Sequence, residues 1–63
     1  MEPDVRISNL GASVVLFHLL TQEARDWVDE HVFGALFFGD ALVVEPRYVA
    51  HIEAAMSVSL EVE

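Results

Sequence analysis

The sequence predicts an α+β fold: a two-layer sandwich of order β-β-α-β-α-β, with both helices on one face of a small mixed sheet. Three patterns predict it. Residues 22–33 are amphipathic at the helical period, Ser13–Leu20 is dense in Val, Leu and Phe, and residues 57–63 alternate strictly between polar and apolar. A helix between two strands implies a right-handed parallel crossover, and two such crossovers put both helices on the same side. Sixty-three residues make one domain, 1–63.

The elements follow in order. Val5–Ser8 reads as a short strand, with Val5 and Ile7 on one face. Asn9-Leu10-Gly11-Ala12 reads as a turn, since Asn and Gly tolerate positive φ, and joins it to the Ser13–Leu20 strand as a hairpin. Thr21 is placed to cap a helix, with Glu23 near the positive end of its dipole. That helix runs to Val32 or Phe33, where Gly34 suits a left-handed C-cap. Trp27, His31, Ala24, Val28 and Val32 share its apolar side; Glu23, Asp26, Asp29 and Glu30 share the other.

Ala41–Val44 is a further strand. The preceding Gly39-Asp40 reads as a turn or a bulge, and residues 33–40 leave room for an extra hairpin strand before Gly39. Glu45-Pro46 opens a second helix over 46–56, with proline at the first helical position. Tyr48, Val49, Ile52, Ala55 and Met56 line one of its sides. The last strand presents Val58, Leu60 and Val62 on one face and Ser57, Ser59, Glu61 and Glu63 on the other.

Composition bounds the function. The formal charge is −8, from 11 acidic residues against 3 arginines, and there is no cysteine. Direct nucleic-acid binding is disfavoured, because phosphate neutralisation needs clustered Lys and Arg. A disulfide scaffold and a Cys-ligated zinc module are excluded. The apolar fraction of 54% argues against disorder. The acidic start and the short apolar run Val14–Leu20 point to neither a signal peptide nor a membrane span, so the expected compartment is the cytoplasm. An acidic chain is also repelled by anionic lipid.

Both faces of the Ser13–Leu20 strand are apolar. If the helices cover Val15, Phe17 and Leu19, then Val14, Leu16 and Leu20 need another cover. A core this small is marginal, so a homodimer at micromolar concentration is expected there. The competing reading is that the strand leaves some apolar surface wet.

Candidates for chemistry are few. His18, His31 and His51 lack the i, i+4 spacing of a helical zinc pair, and no catalytic residue, metal ligand or cofactor is assigned. His31 shares the apolar side of its helix with Trp27, read either as a ring that burial perturbs or, more commonly, as one that packs at the edge of the core. Ser8, Ser13, Ser57 and Ser59 have no nucleophile context, and the glycines form no phosphate loop. A domain this small rarely encloses a substrate pocket.

Two surface features are sharper. Glu23, Asp26, Asp29 and Glu30 form an acidic face, read either as a solvated side or as a dock for a basic partner. Phe33, Phe37 and Phe38 lie in a segment bracketed by Gly34 and Gly39. On a surface loop they form an apolar contact patch; folded inward they plug the end of the sandwich, which is expected of at least one of the three.

The block Phe38-Gly39-Asp40-Ala41-Leu42-Val43-Val44-Glu45-Pro46-Arg47-Tyr48, with Leu20-Thr21 and Ala24-Arg25-Asp26-Trp27, resembles short uncharacterised proteins of proteobacterial genomes and phage-like elements. The resemblance covers most of the chain and carries no activity. It implies a bacterial or phage accessory protein of the cytoplasm. It singles out Glu45, Arg47 and Tyr48 for a shared structural or contact role, which a cap and a strand–helix corner explain equally well.

The sequence therefore leads to a small acidic protein-interaction module, accessory or inhibitory, acting by contact on a partner with a basic or apolar surface. The alternative is a small metal-dependent or catalytic module using the histidines.

Overall fold

Phe17 sits at the centre of the core with no exposed surface, and the elements are arranged around it. The computed structural model describes residues 2–9 and 14–63. The turn expected at 9–12 falls, from residue 10 on, outside the described residues, as does Ser13.

The order is β1 (Val5–Asn9), β2 (Val15–Leu19), α1 (Gln22–His31), β3 (Phe37–Phe38), β4 (Ala41–Val44) and α2 (Pro46–Met56). The chain is of the α+β class, with a four-stranded antiparallel sheet ordered β1-β2-β4-β3. This corrects the expected mixed sheet of order β-β-α-β-α-β: every strand pair runs antiparallel, and residues 57–63 do not form a full last strand. Residues 37–38 form the extra hairpin strand for which 33–40 leaves room.

The sheet follows from alternation. Register pairs Ile7 with Phe17 and Phe17 with Leu42, aligning Val5, Ile7, Val15, Phe17, Leu19, Leu42 and Val44 on one face. All of these join one core with Ala24 and Val28 of α1 and Met56 of α2. The opposite face carries Arg6, Ser8, Leu16, His18, Ala41 and Val43.

Thr21 caps α1 as its chemistry dictates: its hydroxyl accepts from the Ala24 N–H at 3.2 Å and donates to Asp4 Oδ1 at 2.8 Å. The helix stops at His31, short of the expected end, because Val32 turns extended and packs against the core. Gly34 adopts φ +64°, so its left-handed conformation serves the turn after Val32 rather than the cap itself. Gly39, at φ +62°, is the first central residue of the β3–β4 hairpin, and Asp40 keeps negative φ, as in a type II′ turn.

Proline opens α2 at its first position, and Glu45 occupies the cap without a side-chain bond. The side turned to the core is narrower than expected: Val49, Ile52 and Met56 pack there, while Tyr48 and Ala55 are exposed.

After α2 the chain winds on instead of extending. Ser59 and Leu60 N–H groups both donate to the Met56 carbonyl, and Val58 is 86% exposed. Residues 61–63 then meet the edge of the sheet at Val5, with Val62 in a parallel bridge to it. The alternating pattern thus places Leu60 and Val62, but not Val58, against the core.

Candidate functional site

The residues 33–40 run along an open edge of the sheet. β3 pairs with β4 on one side only, with Phe37 opposite Leu42 and Phe38 opposite Ala41. The Val43 N–H donates to the Leu36 carbonyl at 2.9 Å, which makes Leu36–Val43 a hydrogen-bonded pair. In an antiparallel ladder the next pair, Phe37–Leu42, is then non-hydrogen-bonded, so the Phe37 N–H and C=O point away from β4.

This edge is apolar. Phe33 is 98% exposed, Phe38 71%, Leu36 70% and Phe37 53%. The three phenylalanines therefore lie at the surface and do not plug the sandwich. Phe38 shares the sheet face of its partner Ala41; Phe37 shares that of Leu42, on the α1 side. A shallow groove of about 300 Å³ between α1 and β3 is lined by Arg25, Val28, Asp29, Val32, Ala35 and Phe37.

Glu23, Asp26, Asp29 and Glu30 are all exposed on α1. Asp26 accepts from Gln22 Nε2 at 2.9 Å, one turn away. Asp29 belongs to both features, since it also lines the groove beside Phe37. The cations are sparse. Arg6 pairs with Glu63 at 2.8 Å, and Arg47 lies 3.7 Å from Glu45 with its guanidinium 5.0 Å from the Tyr48 ring. Among the described residues Arg25 makes no ion pair. Glu45, Arg47 and Tyr48 thus form one small cluster at the start of α2.

The face of β2 opposite the helices differs from expectation. Leu16 is only 5% exposed, between Ser8 and Val43. Val14 is half-buried, and only Leu20 is exposed. Phe33, Leu36, Phe37 and Phe38 are exposed at and just before β3, while Tyr48 and Val58 are exposed elsewhere. What the sequence could not show is Leu36, which alternation with Phe37 would have placed beside Phe38 had the two-residue strand been recognised.

The histidines lie on separate elements. His18 Nε2 is 3.0 Å from Ser8 Oγ across β1 and β2. His31 is exposed, not buried, and stacks on Trp27 with ring centroids 4.4 Å apart. Its Nδ1 donates to the Trp27 carbonyl at 2.8 Å, so that nitrogen carries a proton. His51 is exposed on α2. Among the described residues no group of three or more His, Asp or Glu is arranged to hold a metal ion.

Asp4 is held through both carboxylate oxygens. The Glu61 N–H first, and the Thr21 hydroxyl second, keep its carboxyl below its usual value, against a smaller opposing effect of desolvation. It ties the start of β1 to the cap of α1 and to the segment after α2.

No helix among the described residues is long and apolar enough to cross a membrane. Compared with protein-family models, with curated proteins and with solved structures, the chain matches none.

Proposed function

We propose that this chain is a small acidic interaction module that works by contact, as an accessory or inhibitory protein of a bacterium or phage, in the cytoplasm. Its partner presents a basic or an apolar surface. The observation that carries this reading is that Asp29, at the margin of the acidic face, and Phe37, of the apolar edge, line one groove, while Glu23, Asp26 and Glu30 line the next depression around α1 with Trp27 and His31. An apolar patch rimmed by charge is the usual anatomy of a protein contact, and an acidic rim steers a basic partner toward it. Phe33, Phe37 and Phe38 supply the patch; Glu23, Asp26, Asp29 and Glu30 supply the field. The histidine-based alternative has less support, because His18, His31 and His51 sit on β2, α1 and α2 with separate neighbours.

The experiment is affinity capture from a bacterial lysate on the immobilised chain, repeated with Glu23→Gln/Glu30→Gln and with Phe38→Lys. A partner retained by the parent chain and lost by either variant supports the reading. Identical capture profiles for all three would remove it.

A further inference from the structure

We infer that the β3 edge is a self-pairing edge, and that its occupant is a second copy of this chain, joined through Phe37 across a two-fold axis. This rests on reading the apolar cluster as a contact surface and names what covers it.

The first argument is register. The outward N–H and C=O of Phe37 offer one hydrogen-bonded pairing site. With Phe37 opposite the second copy's Phe37, both bonds are exchanged and the antiparallel ladder continues. The same register sets Leu36 opposite the second copy's Phe38, and Phe38 opposite its Leu36. Every cross-strand neighbour is then apolar on apolar, on both faces, which is what stabilises such pairs. A segment reading Leu-Phe-Phe is thus complementary to its own reverse.

The second argument is area. Phe33, Leu36, Phe37 and Phe38 are 53–98% exposed and together present on the order of 500 Å² of apolar surface per chain. Two copies bring about 1,000 Å² when all of it is covered, under the ~1,200–2,000 Å² of stable specific interfaces and in the range of weak, reversible ones.

The third argument is charge. Arg25 and Asp29 stand one turn apart on α1, both lining the groove beside Phe37, and neither makes an ion pair among the described residues. A two-fold axis through the Phe37 pair reverses their order, which is the order that opposite charges on the two copies need in order to pair. The remaining charge opposes assembly, since each chain carries −8. Added salt screens that repulsion, so the dimer tightens with salt, whereas docking on a basic partner weakens.

Sedimentation of the purified chain from micromolar to millimolar concentration tests this. A monomer–dimer equilibrium is expected, stronger in 0.5 M than in 0.05 M sodium chloride (about a threefold change in Debye length). Leu36→Lys and Phe38→Lys change exposed side chains, so each keeps the parent circular dichroism and weakens the dimer at least tenfold. Arg25→Asp and Asp29→Arg each weaken it, and the double exchange restores it. Three results overturn the proposal: a monomer throughout, assembly beyond a dimer, or a dimer indifferent to both lysine variants. If the chain is monomeric but Phe38→Lys still loses a captured partner, self-pairing fails and the contact reading survives. If it is monomeric and capture is also unaffected, both fail.

Discussion

Asp4 and Glu61 hold each other twice. The Asp4 N–H donates to the Glu61 carbonyl at 2.8 Å, and the Glu61 N–H donates back to Asp4 Oδ2 at 2.8 Å. The second carboxylate oxygen takes the Thr21 hydroxyl. One side chain therefore closes a junction of three segments far apart in sequence.

Asp4→Asn should lower the melting temperature near neutral pH. The Asp4 carboxyl titrates below its unfolded value of 3.8 in the fold, so its contribution is complete above about pH 4 and disappears as pH falls through the lower folded value. The gap between parent and variant should be constant from pH 5 to 7 and close on acidification. A gap that persists unchanged at pH 2 would show that the charge is not involved. Thr21→Ala removes both the cap and its bond to Asp4, and should cost about 1–2 kcal/mol.

The core ranking separates Phe17 from Trp27. Phe17 is fully buried, and Phe17→Ala should cost about 3–5 kcal/mol. That is comparable with the whole stability a single core of this size supplies, so the variant should lack cooperative thermal unfolding. Trp27 is only half-buried, stacked on His31. Trp27→Ala should cost about 1–3 kcal/mol and leave a measurable transition. Equal losses from urea melts would contradict this ranking.

Val58 and Met56 make a contrast within three residues. Val58→Ser changes an exposed side chain and should shift stability by less than about 0.5 kcal/mol. Met56 has no exposed surface, and Met56→Ala should cost about 2–5 kcal/mol. Had residues 57–63 formed a full strand, Val58→Ser would be as damaging as a core change. Denaturant titration of the two variants decides between them.

The acidic face is not uniform along α1. Glu23 lies in the first turn, where the helix dipole favours a negative charge; Glu30 lies in the last, where it does not. Both stand within i, i+3 or i, i+4 reach of Asp26 and repel it. Glu30→Gln should therefore stabilise by a few tenths of a kcal/mol, and Glu23→Gln should be neutral or slightly destabilising. Differential scanning calorimetry at low ionic strength should resolve the order, and 0.5 M salt should erase it.

Much of this fold was legible because local chemistry and tertiary packing agree. Thr21, Pro46 and the spacing of Ala24 and Val28 mark the helices, and the alternation of Val15, Phe17 and Leu19 marks the central strand. The failures have physical causes. Ser57–Leu60 alternates like a strand, but continuing the hydrogen bonds of α2 satisfies its N–H groups at once, with no strand partner to find. β3 has two residues, too few for a periodic signal, and owes its existence to the Gly39 turn. His31 looked buried because it shares a side with Trp27, yet it lies over the ring and not beneath it. The acidic and aromatic residues were visible as types; that Asp29 and Phe37 share one groove depends on β3 folding back beside α1.

The bridge from Val62 to Val5 has a consequence for how far such a sheet can grow. A filament needs two receptive edges on every link. On the β1 side an incoming strand meets a rail already in place: the Glu61 carbonyl holds the Val5 N–H, the Glu63 N–H holds the Val5 carbonyl, and the Arg6–Glu63 pair lies over them. To pair with Val5 it would have to peel that rail away. The β3 edge has no strand paired on its outer side among the described residues, whereas the β1 edge is capped at Val5. An open strand edge on a protein more than half apolar invites aggregation; the segment bonded to Val5 removes that one backbone site from the β1 edge.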